Sequence, residues 1–279
     1  MGKITAHTKH LGIFGFPVEH SFSPVMHNYI SDKIGLDYVY TAYEIKPENI
    51  GKAVEAIRAL GISGVNITAP YKFEVMKYLD ETDKQAELFG SVNTVVNRDG
   101  RLIGYNTDAF GFYSALERNG QSAEGRDILI FGAGGATKPI AVLFAQKGAK
   151  SITIINRTEE KARAIAEYVK EKTGYAINLK KELERYDIAV NTTSAGMAPQ
   201  LDKCPADDFS FADKNTFFAD MIYNPDETIF LKKAKELGAG TMNGLGMLIG
   251  QGIISYELFT GVKIGDDMYD NIAKEVFGR

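Results

Sequence analysis

The chain has 279 residues, 44% of them hydrophobic and 24% charged, a composition typical of one large or two ordinary globular domains. Its formal net charge of -4, with acidic and basic residues interspersed, argues against a nucleic-acid-binding protein. No apolar run approaches the roughly 20 residues that span a bilayer, no signal-peptide pattern opens the chain, and Cys204 has no second cysteine to pair with, so we predict a cytoplasmic protein without membrane association.

The first hundred residues alternate between strand and helix patterns. The pattern predicts strands at 11–16, 38–45 and 64–68, separated by helices at 23–34 and 47–60. Ser23 is the expected N-cap of the first helix, with Pro24 at its first helical position, and Gly35 ends it. This β-α-β-α-β order predicts a mainly parallel α/β sheet.

Shorter elements follow. Helical stretches are predicted at 71–79 and 83–89, and two strands at 92–97 and 102–105 are joined by Asp99-Gly100, a dipeptide suited to a hairpin turn. A helix at 108–119 then leads into the middle of the chain. All four histidines precede this region, but no Cys, Asp or Glu stands at a ligand spacing from them, so we predict no metal site.

A glycine-rich loop follows the apolar strand predicted at 128–131. Gly132, Gly134 and Gly135 allow a tight turn whose backbone N–H groups can approach a pyrophosphate at a helix N-terminus. Thr137 occupies the third glycine position of G-x-G-x-x-G, where it is expected to limit how closely the helix packs on the strand. A helix at 139–147 and a strand at 151–155 complete a βαβ unit of the length that binds dinucleotides.

The residues after that second strand predict which dinucleotide is bound. The chain reads Asn156-Arg157-Thr158, with no acidic residue at the strand end to accept hydrogen bonds from a ribose 2′-hydroxyl. The Arg157 guanidinium matches a 2′-phosphate, and Lys161 lies about one helical turn further on. We therefore predict NADP(H); the alternative is that both cations are simply solvated at a helix start.

The remaining pattern completes this dinucleotide block. Strands are predicted at 176–179, 188–191 and 217–220, and helices at 245–259 and 267–277 are expected to return to the first domain. The predicted organisation is a substrate-binding domain formed by 1–107 and 244–279, with an inserted Rossmann NADP-binding domain at 108–243.

Several motifs together resemble those of the shikimate dehydrogenases. They are Gly15-Phe-Pro-Val-Glu-His-Ser-Phe-Ser-Pro-Val-Met-His-Asn28, Asn66-Ile-Thr-Ala-Pro-Tyr-Lys72, Ser91-Val-Asn-Thr94, Asn106-Thr-Asp108, Asn191-Thr-Thr-Ser194, Asp220-Met-Ile-Tyr-Asn-Pro225 and Gly244-Leu-Gly-Met-Leu-Ile-Gly-Gln251. The resemblance covers nearly the whole chain and implies an NADP-dependent oxidoreductase that reversibly reduces 3-dehydroshikimate to shikimate, a step in aromatic amino-acid biosynthesis.

The resemblance also implies roles for individual residues. Ser21 and Ser23 stand at a helix N-terminus, which favours an anion, and would bind the substrate carboxylate; without the resemblance, a plain helix cap is the simpler interpretation. Lys72 and Asp108 would form the catalytic pair, in which an ammonium group stabilises the oxygen of the reacting carbonyl and can supply its proton. Which of the two transfers the proton stays open.

Further site residues follow from the same resemblance. The other substrate-binding residues would be Asn66, Thr68, Asn93, Tyr223 and Gln251. The cofactor-binding residues would be Gly132, Ala133, Gly134, Gly135, Ala136, Asn156, Arg157, Thr158, Lys161, Thr193, Met221 and Gly244, with Met221, Tyr223 and Gly244 walling the nicotinamide.

Departures from the family pattern leave alternatives open. Ser91 and Ala109 stand where Ala and Gly are usual, without replacing a group assigned to chemistry. A quinate/shikimate dehydrogenase with broader ring or cofactor tolerance, and a dinucleotide-binding sensor without catalysis, remain candidates; a folate-linked methylene dehydrogenase is a remote third. We expect a small-molecule substrate, and either a monomer or a homodimer.

Overall fold

A computed structural model describes residues 4–180 and 185–279. The chain divides into two compact units, Met1–Thr107 with Ile249–Arg279, and Asp108–Leu248. Each unit is built on its own β-sheet with helices, so the predicted two-domain α/β class is confirmed. No helix within the described ranges is long and apolar enough to cross a membrane.

The elements of the described residues are numbered in chain order. The strands are β1 Lys9–Gly15, β2 Tyr38–Glu44, β3 Gly64–Ile67, β4 Glu81–Thr82, β5 Thr94–Arg98, β6 Arg101–Tyr105, β7 Asp127–Phe131, β8 Ser151–Ile155, β9 Ile188–Asn191, β10 Phe217–Asp220 and β11 Gly240–Met242. The helices are α1 Ser23–Ile34, α2 Ile50–Ala59, α3 Lys84–Phe89, α4 Asp108–Arg118, α5 Thr137–Gln146, α6 Glu159–Thr173, α7 Ile229–Glu236, α8 Leu245–Thr260 and α9 Asp267–Glu275, with 3-10 turns at Pro47–Asn49 and Glu74–Tyr78.

The sheet of the first unit has the strand order β2-β1-β3-β5-β6-β4. β1 pairs in parallel with β2 and β3, β4 pairs in parallel with β6, and β5 is antiparallel to both β3 and β6. The antiparallel β5–β6 pair arises because these strands form the predicted hairpin. Asp99 (φ 52°) and Gly100 (φ 89°) both have positive φ, as a type I′ turn requires.

The two faces of this sheet differ in chemistry because side chains alternate along β3. Val65 and Ile67 join an apolar core with Val54 and Ile57 of α2. Gly64 and Asn66 lie on the other face, where a Cβ at Gly64 would collide with Phe259 of α8. The α8 side of the sheet therefore carries buried polar groups, and the α2 side is apolar.

The second unit has a parallel sheet of order β11-β10-β9-β7-β8. The strand predicted at 176–179 is wrong as a strand: only Asn178 bridges to Thr153, through hydrogen bonds that link it to Ile152 and Ile154. With this bridge counted as a reduced third strand, the order becomes 3-2-1-4-5-6, that of a Rossmann domain. Its topological switch point lies between β7 and β9.

One helix start and one predicted helix differ from the sequence expectation. Ser23 is the first residue of α1 and not its cap; Phe22 holds the N-cap position, without a side-chain cap bond. The stretch predicted as a helix at 71–79 contains only the 3-10 turn Glu74–Tyr78. Pro24 and Gly35 are placed as expected, since Gly35 ends α1 in the left-handed conformation at φ 70°.

Candidate functional site

The glycine loop lies at the carboxyl end of β7, beside the switch point of the Rossmann sheet. Gly132 has φ 112°, and a Cβ there would lie 2.5 Å from Thr192 Oγ1, so only glycine fits. At Gly134 an added Cβ would meet no described atom within 4 Å. The open space over Gly134, at the N-terminal end of α5, suits a pyrophosphate, so this loop fits a dinucleotide.

Thr137 replaces the third glycine and is fully buried. Its hydroxyl accepts a hydrogen bond from Gly134 N (3.1 Å) and lies 2.7 Å from Thr192 Oγ1. Thr192 in turn donates to the carbonyl of Phe131 (2.8 Å). The threonine thus ties the loop to the end of β9, a function that the sequence-based expectation of looser packing does not include.

Arg157 and Lys161 are both exposed around the start of α6. Neither forms an ion pair with any residue in the described ranges. The Asn156 side chain donates to the carbonyl of Thr158 (2.8 Å), which shapes the turn between β8 and α6. Two unpaired cations beside the end of β8 are the arrangement expected for a ribose 2′-phosphate.

The segments after β9, β10 and β11 bring together the other proposed cofactor residues. Asn191 Oδ1 accepts hydrogen bonds from both the N–H (3.0 Å) and the hydroxyl (2.7 Å) of Thr193. Met221 N donates to the Asn191 carbonyl (3.1 Å), and Gly244 N donates to the Ile222 carbonyl (2.9 Å). A Cβ at Gly244 would overlap the Met221 backbone, so this position requires glycine.

Tyr223, two residues after Met221, is half-buried, and burial raises the pKa of its phenol. Its hydroxyl therefore stays protonated at neutral pH and is able to donate a hydrogen bond.

In the first unit, Ser21 and Ser23 lie together at the start of α1. Ser21 Oγ accepts from Ser23 N (3.2 Å), which leaves the Ser21 O–H to donate elsewhere. Ser23 hydrogen-bonds to the hydroxyl of Tyr40; burial raises the pKa of Tyr40 well above its usual value, and this contact partly opposes the rise. One hydroxyl of the pair is thus anchored to β2.

Asn66 and Asn93 belong to a buried network of amides and hydroxyls. The Asn66 Oδ1 accepts from Tyr40 (2.8 Å), and its Nδ2 lies within hydrogen-bonding distance of Thr94 and Ser255 (3.1 and 3.0 Å). Asn93 Nδ2 donates to the hydroxyl of Thr107 (2.9 Å), while its Oδ1 accepts from Thr107 N (2.8 Å). Both predicted substrate ligands therefore have protein partners; Asn66 is 5% and Asn93 3% exposed.

Lys72 is positioned by its neighbours in the chain. Tyr71 is buried, and its hydroxyl donates to the carbonyl of Ile45, while the carbonyl of Lys72 accepts from Val92 N (2.8 Å). Thr68 lies at the end of β3, next to Gly15, where a Cβ would overlap the Thr68 methyl group. Both sides of the Asn66–Lys72 segment are thereby fixed to the sheet.

The other predicted residues take their positions from helices. Gln251 lies on α8 in the part assigned to the first unit, and Asp108 is the first residue of both α4 and the second unit. Ser91 supplies a second acceptor for Asn106, whose Nδ2 donates to the Ser91 hydroxyl (2.9 Å) as well as its carbonyl (3.1 Å).

Sequence reasoning assigned no role to three residues that organise these sites: Tyr40, Ser255 and Asp220. Ser255 of α8 lies within hydrogen-bonding distance of Asn66, Thr94 and Thr107. The available signal was a polar residue inside an apolar strand or helix, which indicates a buried group that needs partners.

Comparisons with known proteins cover nearly the whole chain. Residues 13–95 match the shikimate dehydrogenase substrate binding domain, 114–223 the shikimate/quinate 5-dehydrogenase family and 244–265 the shikimate 5′-dehydrogenase C-terminal domain. A shikimate dehydrogenase (NADP(+)) from Methanocaldococcus jannaschii is 44% identical over 275 residues, which are 96% of this chain and 97% of that protein.

Solved structures agree with these sequence matches. A shikimate dehydrogenase in complex with NADP+ has a TM-score of 0.92 at 43% identity, covering 98% of this chain and 97% of its own. The Listeria monocytogenes enzyme in complex with shikimate and NAD has the same TM-score at 36% identity, covering 98% of both chains. The 5-ketofructose reductase of a Gluconobacter strain reaches 0.88 at 34% identity, covering 98% of this chain and 100% of its own.

This chain aligns with these relatives along almost its full length. It also has the glycine loop at a Rossmann switch point, the exposed Arg157 and the serine pair at the start of α1. The chain belongs to the shikimate dehydrogenase family.

Proposed function

We propose that this protein is an NADP-dependent shikimate dehydrogenase that reversibly reduces 3-dehydroshikimate to shikimate in aromatic amino-acid biosynthesis. The observation that carries the proposal is the full-length match to enzymes of this name, with every side chain expected to do chemistry present. The coarser conclusion, a Rossmann-type oxidoreductase acting on a small molecule, has the same support.

The reaction needs a hydride at the carbonyl carbon and a proton at its oxygen, and bound NADPH supplies the hydride. Lys72 stabilises the negative charge that develops on the oxygen and hydrogen-bonds to it. Asp108 orients the Lys72 ammonium and the reacting hydroxyl. The anchoring of Tyr71 and the Lys72 carbonyl supports this role, because a lysine on a fixed backbone loses less freedom when it binds.

Substrate recognition is assigned to the first unit and to Tyr223. Ser21 donates its free hydroxyl to the substrate carboxylate, and Ser23 assists at the N-terminus of α1. Thr68 and Gln251 bind ring hydroxyls. Asn66 and Asn93 contribute as parts of the buried network, where their protein hydrogen bonds fix the polar groups around them.

Cofactor recognition is assigned to the second unit. The loop Gly132–Ala136 binds the pyrophosphate, while Asn156, Arg157, Thr158 and Lys161 bind the 2′-phosphate ribose. Thr193, Met221 and Gly244 hold the nicotinamide half. The open space at Gly134 and the unpaired Arg157 and Lys161 support this arrangement. The monomer or homodimer state stays a prediction.

The direct test follows reduced nicotinamide with purified protein, with shikimate or quinate as substrate and NADP or NAD as cofactor. We expect turnover with shikimate and NADP at the highest kcat/KM. Absence of turnover with every pairing, alongside measurable NADP binding, would instead favour the sensor interpretation.

A second candidate is a dehydrogenase with a different ring or sugar preference. The family description names both shikimate and quinate, and the 5-ketofructose reductase has a similar structure. Oxidation of quinate with NADP and reduction of 5-ketofructose with NADPH, each compared with shikimate or 3-dehydroshikimate in the same direction, separate these functions. A higher kcat/KM for either compound would replace shikimate as the proposed substrate while leaving the cofactor assignment intact.

Lys72→Ala tests the mechanism within this proposal. We expect kcat to fall by roughly 10²-fold or more, because the variant loses the cation that stabilises the developing oxyanion. The affinity for NADP should hardly change. Lys77→Ala, an exposed lysine in the same segment, is the matched control. Equal rates for the two variants would remove Lys72 from the mechanism.

A further inference from the structure

Asp220 is a fully buried carboxylate at the end of β10. Its three hydrogen bonds come from neutral groups: Asn191 Nδ2 (3.0 Å) and Ile222 N (2.9 Å) donate to Oδ1, and the Thr228 hydroxyl (2.7 Å) donates to Oδ2. Burial raises the pKa of Asp220, and these donors oppose the rise. A buried carboxylate costs free energy unless its hydrogen bonds are satisfied, so the position of these donors is closely constrained.

The three donors belong to three different segments. Asn191 ends β9, Ile222 lies in the loop after β10, and Thr228 is the N-cap of α7. The carboxylate therefore closes the loop between β10 and α7 and fastens it to the neighbouring strand.

The network continues from Asn191 to the residues proposed to bind cofactor. Asn191 uses its Nδ2 for Asp220 and its Oδ1 for the N–H and hydroxyl of Thr193. Its carbonyl accepts from Met221 N. Asn191 Nδ2 also donates to the Ala195 carbonyl (3.3 Å), so Asp220 holds the Asn191 amide together with Ala195, through the shorter of the two bonds. The orientation of this amide decides whether Thr193 finds its acceptor.

The hydrogen bond from Ile222 N to Asp220 connects the carboxylate to Gly244. Asp220 fixes Ile222 N, and the carbonyl of Ile222 accepts from Gly244 N (2.9 Å), whose residue is in close contact with the Met221 backbone. Three of the proposed nicotinamide-site residues, Thr193, Met221 and Gly244, are therefore each two hydrogen bonds away from the same carboxylate.

We propose that Asp220 is a positioning residue that preorganises the nicotinamide half of the cofactor site by holding Asn191 and the loop after β10 in fixed orientation. This inference rests on the proposed function of Thr193, Met221 and Gly244. A site held in its binding geometry before the ligand arrives loses less conformational freedom on binding.

The test compares Asp220→Ala with Asp220→Asn. Alanine removes every acceptor at this position. Asparagine keeps Oδ1 for Asn191 and Ile222 and can turn its NH2 toward the hydroxyl of Thr228, which accepts as well as donates. We expect Asp220→Ala to raise the KM and Kd for NADP about 10-fold or more, with the KM for shikimate within about 3-fold. Asp220→Asn should recover most of the lost affinity.

Asp127→Ala is the matched control for a general loss of stability. Asp127 begins β7 in the same sheet and accepts hydrogen bonds from Lys150 (2.8 Å) and Ser151 (2.6 Å). Because these contacts lie at the amino end of the strands, the control should lower the melting temperature without a selective change in the KM for NADP.

Two results would overturn the inference: an unchanged cofactor KM in Asp220→Ala, or equal increases for cofactor and shikimate. If Asp220→Ala does not fold, Thr228→Val decides. It removes the donor to Asp220 and also the N-cap acceptor for Leu231 N at the start of α7. We expect about a 3-fold increase in the Kd for NADP, whereas an unchanged Kd would refute the role. The activity of the wild type distinguishes the two hypotheses. An inactive wild type would contradict the proposed function, whereas an active wild type with an unaffected Asp220→Ala variant would contradict only the role of Asp220.

Discussion

At the scale of single residues, Arg157 has the most specific expected effect. Its guanidinium is exposed and unpaired within the described residues, so a 2′-phosphate would have no competitor for it. A hydrogen bond to a charged group contributes about 1.5–3 kcal/mol, which corresponds to a change of about 10- to 100-fold. Arg157→Ala should therefore raise the KM for NADP by that factor and leave the KM for NAD nearly unchanged.

The control for this experiment is Arg163→Ala, which removes an exposed arginine from α6, the helix that follows Arg157. Steady-state kinetics with both cofactors measure the discrimination. An equal loss with NADP and NAD would contradict a role at the 2′-phosphate.

His27 provides a prediction about pH. The ring is fully buried, stacks on Tyr40 at 4.2 Å between centroids, and has no hydrogen-bonding partner for either nitrogen among the described residues. Burial lowers the pKa of His27 from 6.5 to about 3. Between these two values the unfolded chain binds a proton that the folded chain does not, so stability falls as the pH is lowered below about 6.5.

His27→Phe removes this proton linkage. One proton contributes about 1.4 kcal/mol per pH unit, so between pH 6.5 and 4.5 the free energy of unfolding should fall by about 2–3 kcal/mol more in the wild type than in the variant. Urea unfolding at both pH values measures the difference, with the exposed His7→Phe as control. Parallel losses in wild type and His27→Phe would show that His27 does not contribute to acid sensitivity.

The motifs were sufficient to predict that the backbone requires glycine at Gly132 and Gly244, whereas the role of Arg157 at a 2′-phosphate stays a prediction. They were not sufficient for the internal hydrogen bonds of Asn66, because those partners lie on β2, β5 and α8 and are brought together only by the tertiary fold. A motif identifies a position; whether its amide faces a ligand or a protein partner depends on packing.

At the scale of elements, the junction between the glycine loop and α5 depends on Thr137. Its hydroxyl joins Gly134 N to Thr192, so Thr137→Val keeps the volume but leaves both groups without this partner. We expect the Kd for NADP to rise about 5- to 30-fold, because each of the two hydrogen bonds lost contributes roughly 1 kcal/mol, and the KM for shikimate to stay constant.

Thr173→Val provides a matched substitution at the C-terminal end of α6. It also removes a hydrogen-bonding hydroxyl, which donates to the Val169 carbonyl (2.7 Å), but it lies outside the proposed cofactor loop. Direct NADP titration should separate the two variants, and equal affinities would refute a role of Thr137 in shaping the loop.

Sequence prediction at this scale was best for long elements with clear ends. α1, α8 and the parallel strands of the second sheet occur close to their predicted positions. The predicted strand at 176–179 is reduced to the Asn178 bridge, and the short strands β4 and β11 and the helix α7 were not predicted. The strands β4 and β11, of two and three residues, gain their stability from pairing with a neighbour, so their local sequence carries little signal.

At the scale of the whole molecule, the proposed function assigns the substrate carboxylate to the first unit and the dinucleotide to the second. The assignment of 1–107 with 244–279 to substrate and of 108–243 to cofactor stays a prediction, although the compact units divide within α8, between Leu248 and Ile249. This assignment can be tested by thermal stability. Each ligand should stabilise the protein even when the residues proposed to bind the other ligand are replaced.

A ligand present at about 100 times its Kd stabilises a folded protein by about 2.7 kcal/mol, which for a chain of this size raises the melting temperature by about 5 °C. We expect NADP and shikimate each to produce a shift of this order in the wild type. The double variant Ser21→Ala/Ser23→Ala should lose the shikimate shift and keep the NADP shift, since its changes are confined to the start of α1. Arg157→Ala should show the reverse pattern. Loss of both shifts to the same extent in the serine variant, or of neither, would show that the serines are not the carboxylate ligands. Removal of a substrate ligand must weaken the binding of shikimate more than the binding of NADP.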